Sequence, residues 1–273
     1  MRKADGKHSG EGFVEMIFDT SAHPTLDGTW MSGRTGHTFS QLKDLANAAD
    51  VRGVCAIGLP GIGGYSHESF YRTSIEFGFF PVAALTKSTP IEIGRELDTI
   101  SKLGFKAVHV HPRLLGINRT IELIPEIMRQ VADLSLTCFL CTYYHDKPGN
   151  LPESDPYWAI TQGLNLAPEL KLVLLHGGGS RIIEYSQLCR HSSPILLDLS
   201  FTVTKYQKSS ILQDIAFLLD DLDQRICIGS DSPEWSYTQL LPIIDGLTSV
   251  LPPEKRNNVL WGNISKLLDI DAK

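Results

Sequence analysis

The sequence predicts a closed (β/α)8 barrel, and three observations support this prediction. Eight short apolar segments are distributed along the 273 residues, with stretches of helical pattern between them. Most of the short segments are apolar at nearly every position, which is typical of parallel strands covered on both faces. The chain length also matches the roughly 250 residues that a barrel of eight strand–helix units uses.

The eight predicted strands follow one another along the chain as short apolar runs. Named by their letters and approximate positions, they are EMIFD at 17, GVCAIGL at 56, FPVAAL at 83, KAVHVH at 109, TCFLC at 139, LKLVLLH at 173, PILLDLS at 197 and RICIGSD at 227. Helices are predicted after the first, third, fourth, sixth and seventh strands, and again after residue 234. The first has Thr38 or Ser40 as its N-cap, and the second has Thr89 as cap, Pro90 at its first position and Gly104 at its end.

A doubly wound parallel sheet is the alternative fold, and the segment GLPGIGGYS after the second strand bears on it. That fold normally carries a glycine-rich phosphate loop that opens a helix. This segment has the glycines, but a proline interrupts it and the G-x-G-x-x-G spacing is absent, so we interpret it as an ordinary loop. We therefore predict one barrel domain over residues 16–273, preceded by a flexible arm over residues 1–15.

Composition and charge argue against several classes of partner. The net charge is −6 and the basic residues are scattered, whereas a nucleic-acid surface or a polybasic membrane contact needs clustered cations. No apolar run approaches the ~20 residues of a membrane span, and the N-terminus lacks the apolar core of a secretory signal. The five cysteines are odd in number and lack paired spacing, which favours a reducing cytoplasm. We expect a small-molecule substrate, no nucleic acid and no membrane.

Chemically active side chains are concentrated where the predicted strands end, which is where barrels of this kind place their active sites. Five of the nine histidines lie at or just past a strand end. His109 and His111 are two residues apart, so they share one face of their strand. The candidate residues at the strand ends are, in chain order, Asp19, Ser21, His23, His109, His111, Cys141, Tyr143, Tyr144, His145, His176, Asp198, Ser200 and Asp231.

Several segments resemble motifs of the amidohydrolase-related branch of the amidohydrolase superfamily. IFDTSAH resembles the opening D-x-H-x-H strand, LGFKAVHVHP the fourth strand, LTCFLCTYY the fifth, LKLVLLHGGG the sixth and RICIGSDSP the eighth, while NNVLWGNISKLLDI resembles the closing helix. The resemblance covers nearly the whole chain. It implies a (β/α)8 barrel from a family of hydrolases, lactonases and non-oxidative decarboxylases, whose members often form homodimers.

The resemblance implies four metal-ligand positions in metal-dependent members, and in this chain they hold Ser21, His23, Cys141 and Asp231. Family members usually have histidine at the first and third of these positions, so two ligands are altered. His23 and Asp231 remain as metal-ligand candidates, and a cysteine thiolate at position 141 is a good zinc ligand. A neutral serine hydroxyl is a poor ligand for a divalent ion. The cofactor expectation is therefore either none or one divalent metal such as zinc.

The resemblance also implies a reaction. Some members work without a metal, and there the eighth-strand aspartate, here Asp231, is the general base that activates water. We predict hydrolysis of a lactone, an ester or a C–N bond in a small polar or carboxylated substrate, with His176 as the catalytic partner of Asp231. His111 and Tyr143 are candidate donors to the developing oxyanion. The predicted substrate contacts are Ser21, His111, Cys141 and Tyr143.

Structural interpretations stay open beside these functional ones. Asp231 could cap the turn that follows it, and His176 could be a packed histidine bonded to the backbone. Arg113 and Arg181, just past strands four and six, could hold a substrate carboxylate through paired hydrogen bonds or be solvated surface charges. Two further functions also stay open. One is a barrel that has lost its catalytic apparatus and is kept for binding or assembly, and the other is a metal-dependent non-oxidative decarboxylase.

Overall fold

All eight predicted strands are present, and they form one parallel sheet whose strand order is the order of the sequence. The computed structural model describes residues 16–31, 33–118, 120–191 and 194–271, so the arm predicted over residues 1–15 lies outside the described residues. The strands are β1 (Ile17–Ala22), β2 (Val51–Ile57), β3 (Phe80–Ala84), β4 (Ala107–Val110), β5 (Thr137–Cys141), β6 (Leu172–Leu175), β7 (Ile195–Asp198) and β8 (Ile226–Cys227).

The sheet closes into a barrel because β8 and the residues after it lie against β1. The backbone N–H of Thr20 donates to the Ile228 carbonyl at 2.9 Å, and Ala22 forms a parallel bridge with Ser232. β1 continues to Ala22, three residues beyond the predicted segment, and its register against β2 is irregular between Asp19 and Ala22. The predicted (β/α)8 barrel is therefore confirmed.

Helices connect the strands and cover the outside of the barrel. They are α1 (Phe39–Ala48), α2 (His67–Glu76), α3 (Pro90–Leu103), α4 (Ile124–Asp133), α5 (Pro156–Leu166), α6 (Ile182–His191), α7 (Thr202–Lys205), α8 (Ile211–Asp221), α9 (Tyr237–Thr248), α10 (Pro253–Asn257) and α11 (Asn263–Leu268), with a π-helical turn over Asn258–Gly262 before the last. The predicted helix boundaries agree with the structure at two places: the Thr38 side chain forms a capping box with Gln41, and Gly104 ends α3 at φ 101°.

Three helices were not predicted from the sequence: the single turn α7, and the longer helices α2 and α5. α2 buries only Phe70 and Ser74, so its sequence has little apolar periodicity. α5 keeps Trp158 60% exposed and Leu166 55% exposed, so apolar residues lie on its solvent side as well as on its buried side. In both segments the apolar positions do not mark a single stripe, and the helical period is hidden. α5 is instead marked by its start, where Asp155 caps the helix.

The hydrophobic core has two layers. The larger layer lies between the helices and the outer face of the barrel, and the smaller one fills the barrel interior. Trp261 from the π-helical turn and Ile264 from α11 belong to the inner layer, where the Trp261 ring packs edge-on against Phe18 at 5.4 Å between centroids. The C-terminal helices thus close the end of the barrel at which the strands begin.

The strand residues that continue the inner layer point toward the opposite end. Ala107 and Phe139 belong to the inner layer, so by strand alternation His109 and Cys141 lie on the same inward side, one step farther along. The barrel interior therefore changes from apolar to polar at the strand ends. In the described part of the chain, no helix is long and apolar enough to cross a membrane.

Candidate active site

A cavity of about 200 Å³ opens at the end of the barrel where the strands finish. Of the seven residues predicted to act in catalysis, substrate binding or metal binding, five line it: His23, His111, Tyr143, His176 and Asp231. The other lining residues are Trp30, Met31, Leu59, His109, Arg113, Phe201 and Glu234. The strand-end residues therefore converge on one cavity, as the fold class requires.

Asp231 and His23 meet across the seam between β8 and β1. His23 Nε2 lies 3.3 Å from Asp231 Oδ1, and His23 Nδ1 lies 3.1 Å from the carbonyl oxygen of Ile57. Both ring nitrogens face oxygen acceptors, an arrangement that the imidazolium form satisfies fully. The Asp231 N–H donates to the Ser21 carbonyl at 2.7 Å, which fixes the left-handed backbone of Asp231 (φ 57°). The turn that follows is closed by the Glu234 N–H, which donates to the backbone carbonyl of Asp231 at 2.9 Å, while the Asp231 carboxylate faces His23.

His109 and His111 both line the cavity from β4 and the loop after it, but their nitrogens are used differently. His109 Nδ1 lies 3.1 Å from the Gly58 carbonyl oxygen, so this nitrogen carries the proton and donates. His111 Nδ1 accepts the N–H of Leu114 at 3.3 Å, so this nitrogen carries the lone pair. Burial lowers the pKa of His109 well below its usual range, because the protein interior disfavours the charged ring.

His176 is held by a chain of hydrogen bonds from β7. His176 Nδ1 lies 3.2 Å from the Ser200 carbonyl oxygen and 3.1 Å from Ser200 Oγ, and that hydroxyl in turn donates to the buried Asp198 carboxylate. Burial alone would lower the pKa of His176, but the charges of Asp231 and Cys141 raise it to about 9. His176 is therefore an imidazolium at neutral pH, oriented by Ser200.

Cys141 and Ser21 were predicted to contact substrate, but both side chains are fully buried and neither lines the cavity. Burial would raise the pKa of the Cys141 thiol, but the charges and hydrogen bonds of His111 and His176 hold it well below its usual range. Ser21 packs so closely against Gly229 that a Cβ on that glycine would lie 2.9 Å from the serine Cβ. Both residues can act on a substrate only through the side chains that they support.

A cationic rim borders the cavity on the Tyr143 side. The Arg113 guanidinium carbon lies 5.3 Å from the centre of the Tyr143 ring, and Lys205 Nζ lies 5.5 Å from the same centre. Arg181, the other predicted carboxylate-binding candidate, instead pairs with Asp155 at 2.9 Å and does not line the cavity. Of the two predicted arginines, only Arg113 is placed to contact a ligand in this cavity.

Trp30 and Glu234 form one wall of the cavity, and neither residue was predicted from the sequence. The Trp30 ring stacks near His23, with 5.8 Å between centroids, and its Nε1–H donates to Glu234 Oε1 at 2.6 Å. Trp30 is only 4% exposed. The segment between β1 and α1 offered one signal, because a tryptophan in a polar, glycine-containing loop needs a packing partner.

The residues at the four implied metal-ligand positions do not fit a resident metal ion. Over the residues that the structure describes, no group of three or more His, Cys, Asp and Glu side chains is arranged to hold one. His23, a predicted ligand, has both ring nitrogens engaged by Ile57 and Asp231. Ser21 offers only a neutral, buried hydroxyl, and Cys141 is enclosed by the two histidines that hydrogen-bond to it.

Comparison with known proteins identifies the fold. No family model matches the chain. No curated protein matches it either. An uncharacterised TIM-barrel protein from Bordetella bronchiseptica superposes with a TM-score of 0.74 at 18% identity, covering 93% of this chain and 98% of the other. A probable 2-pyrone-4,6-dicarboxylic acid hydrolase from Acinetobacter baumannii, with citric acid bound, has a TM-score of 0.61 at 15% identity and covers 93% and 99%.

Other structures of the same fold bear enzyme names as well. An amidohydrolase from Burkholderia multivorans matches with a TM-score of 0.66 at 12% identity, covering 94% of this chain and 99% of the other. Decarboxylases of 2,6-dihydroxybenzoate and 5-carboxyvanillate also match. One of these neighbours is named as a TIM-barrel protein and another as an amidohydrolase, and this chain has their (β/α)8 barrel fold.

Proposed function

We propose that the protein hydrolyses an ester or lactone bond in a small carboxylated substrate, with Asp231 as the general base. The observation that supports this most is the pairing of opposite charges in one cavity. Asp231 is anionic and cavity-lining, and its charge helps to raise the pKa of the cavity-lining His176 to about 9. A base and a cationic hydrogen-bond donor thus face the same space, which is what acyl transfer to water needs.

The reaction can be written with these residues alone. A water molecule attacks the substrate carbonyl carbon while Asp231 accepts one of its protons. The His176 imidazolium donates a hydrogen bond to the carbonyl oxygen and stabilises the negative charge that develops there. When the tetrahedral intermediate collapses, the C–O bond breaks and the leaving alkoxide takes the proton back from Asp231. His23, bonded to Asp231 Oδ1, holds the carboxylate so that its other oxygen faces the water.

The cationic rim supports a carboxylated substrate. Arg113 lines the cavity, and its buried Nε has no hydrogen-bond partner in the described part of the chain. An arginine guanidinium binds a carboxylate through two parallel hydrogen bonds, and Lys205 adds a second positive charge beside Tyr143. The neighbour from Acinetobacter baumannii, named for a dicarboxylic acid and solved with citric acid bound, agrees with this substrate class.

Activity against a panel of carboxylated lactones and esters tests the proposal, with Asp231→Asn as the decisive variant. Removing a general base typically lowers the rate by about 10²–10⁴-fold, so we expect a loss of that size with the fold retained by circular dichroism. Asp155→Asn is the matched control, because Asp155 pairs with Arg181 outside the cavity. Unchanged turnover in Asp231→Asn would remove Asp231 from the mechanism. A wild-type protein that turns over nothing in the panel would favour a barrel kept for binding.

Non-oxidative decarboxylation is the second candidate function, because two neighbours of the same fold are named as decarboxylases of hydroxylated benzoates. The cationic rim would bind the departing carboxylate equally well. Proton NMR separates the two reactions in a single assay, since hydrolysis adds water to the substrate and decarboxylation releases CO2 from it.

A further inference from the structure

His109 presents an unpaired hydrogen-bond acceptor at the inner end of the cavity. The residue is 1% exposed, and its Nε2 has no hydrogen-bond partner among the residues described. His109 belongs to β4, whereas His111 follows the strand, so His109 lines the cavity one step deeper than His111. Leaving a buried acceptor unpaired is unfavourable, so a donor from outside the protein is expected at this atom.

The hydrogen bond on the other side of the ring decides which group His109 can bind. The Gly58 carbonyl can only accept, so the ring proton resides on Nδ1, 3.1 Å away. Nε2 therefore carries a lone pair and no proton. Burial keeps the ring neutral, because it lowers the pKa of His109 well below the usual range. The atom can accept a hydrogen bond but cannot bind a carboxylate oxygen.

Neighbouring side chains do not supply the missing donor. His23, with its ring centroid 6.0 Å from that of His109, is engaged at both nitrogens by Ile57 and Asp231. His111, at 5.5 Å, accepts from Leu114 with Nδ1 and is hydrogen-bonded to Cys141. The donor at His109 must therefore come from a bound molecule.

We propose that His109 Nε2 accepts a hydrogen bond from a substrate hydroxyl, so that the protein selects hydroxylated carboxylic acids over their unhydroxylated analogues. The binding of the substrate carboxylate rests on the proposed function, in which Arg113 and Lys205 form the cationic rim of the cavity. Recognition of the substrate hydroxyl depends on His109 alone. A site built to bond a hydroxyl rejects the analogue that lacks it, because the buried acceptor then stays unpaired.

Two matched pairs of ligands test this selectivity by calorimetry. Citrate and tricarballylate carry the same three carboxylates and differ by one hydroxyl, and malate and succinate differ in the same way. For the wild-type protein we expect that, in at least one pair, the hydroxylated member binds at least tenfold more tightly than the member without the hydroxyl. His109→Gln keeps an acceptor near the position of Nε2 and should keep the preference, whereas His109→Leu should bind both members of the pair equally.

Labelled histidine gives a second measurement that does not depend on the variants folding. In the ¹⁵N NMR spectrum of the wild-type protein, the His109 Nε2 resonance should be that of an unprotonated nitrogen and should move with citrate but not with tricarballylate. Equal affinity for both members of each pair overturns the proposal, as does a preference that survives in His109→Leu or a failure of all four probes to bind. The proposal is also overturned if both members of a pair move the Nε2 resonance alike, as they would if an ordered water were bound at Nε2.

These measurements also separate the inference from the proposed hydrolysis. Asp231→Asn should lose turnover and keep the preference for the hydroxylated ligand, because His109 is not bonded to Asp231. If the protein hydrolyses no ester or lactone but still prefers citrate, the hydroxyl site stands and the reaction fails. If it hydrolyses esters without any preference for a hydroxyl, the reaction stands and the hydroxyl site fails.

Discussion

Four histidines line one cavity, and each has a different hydrogen-bonding role because the group next to its ring differs. A backbone carbonyl against Nδ1 of His109 places the proton there and leaves Nε2 as an acceptor. At His111 a backbone N–H donates to Nδ1, so that nitrogen carries the lone pair. His23 is held between the Asp231 carboxylate and the Ile57 carbonyl, whereas His176 is held by the carbonyl and hydroxyl of Ser200. The fold therefore sets the chemistry of each imidazole through its backbone partner.

The charge on His176 predicts the alkaline side of the pH–rate profile. Because its pKa is raised to about 9, the imidazolium is present at neutral pH and is lost as the pH rises through about 9. The rate constant kcat/KM for ester hydrolysis should fall over the same range, since the neutral ring is a weaker donor to the oxyanion. We expect His176→Gln to lower the rate at neutral pH and to remove this alkaline decline.

Cys141 offers the matched control for this profile. Its negative charge and hydrogen bond contribute to the raised pKa of His176, although the thiol does not line the cavity. In Cys141→Ser the alkaline decline should therefore begin at a lower pH, while substrate affinity changes little. An alkaline limit that is identical in wild type, His176→Gln and Cys141→Ser would show that another group controls the rate.

The sequence predicted the cavity-lining role of five residues, because position after a strand is enough to bring a side chain to the barrel mouth. His23, His111, Tyr143, His176 and Asp231 are of this kind. The sequence could not distinguish them from Ser21 and Cys141, which lie within β1 and β5 and are fully buried. Trp30 and Glu234 escaped prediction for a different reason. Each lies in a loop, and their hydrogen bond joins positions 204 residues apart.

Strands were easier to predict than helices in this chain. Most strands are buried on both faces, so a nearly unbroken apolar run marks them directly. Helices α2 and α5 lack a single apolar stripe, and only the flanking caps Ser66 and Asp155 indicate where they begin. A short element whose burial comes from one or two large side chains gives too weak a period to detect.

The loop between β6 and α6 is the element that presents His176, and its glycines allow its shape. His176, Gly177, Gly178 and Gly179 all have positive φ. At Gly178 a Cβ would lie 2.3 Å from the ring of the buried Tyr185, so no side chain fits there. The loop can reverse direction at the strand end only because this position is glycine.

Gly178→Ala should therefore destabilise the protein and disturb His176. Forcing a left-handed backbone on alanine costs roughly 1–2 kcal/mol, and the clash with Tyr185 adds about 1–3 kcal/mol. Gly61→Ala is the matched control, because Gly61 has a similar φ of 71° with nothing within 4 Å of its added Cβ. Urea unfolding should show the larger loss for Gly178→Ala, and equal losses would mean that Tyr185 moves away without cost.

At the scale of the whole molecule, the barrel depends on the seam between its first and last strands. β8 has only two residues in regular pairing, so side chains complete the contact with β1. Asp19 accepts hydrogen bonds from the Ser230 N–H at 2.8 Å, from Ser230 Oγ at 2.6 Å and from the Tyr237 hydroxyl at 2.8 Å. One buried carboxylate thus ties β1 to the residues after β8 and to α9, directly beneath the Asp231 and His23 pair.

Because this carboxylate is buried, the stability of the closed barrel should depend on pH through Asp19. Burial raises its pKa from 3.8 to about 6, although the hydrogen bonds from Ser230 oppose the shift. Between these two pH values the folded protein retains a proton that the unfolded chain releases, so the contribution of Asp19 to stability falls as the pH rises. Over pH 4 to 7 this amounts to about 2 kcal/mol, and Asp19→Asn, which cannot ionise, should not show it.

Urea unfolding at pH 4 and at pH 7 measures this pH dependence of the free energy of unfolding. The free energy of unfolding of Asp19→Asn should improve relative to wild type as the pH rises, whereas Asp44→Asn, at an exposed position of α1, should follow wild type. If the free energy of unfolding changed with pH in the same way for wild type and Asp19→Asn, the carboxylate of Asp19 would already be ionised at pH 4. In that case its hydrogen bonds to Ser230 and Tyr237 would offset the whole desolvation of the charge, and the seam would be stabilised by an ion rather than by a neutral acid.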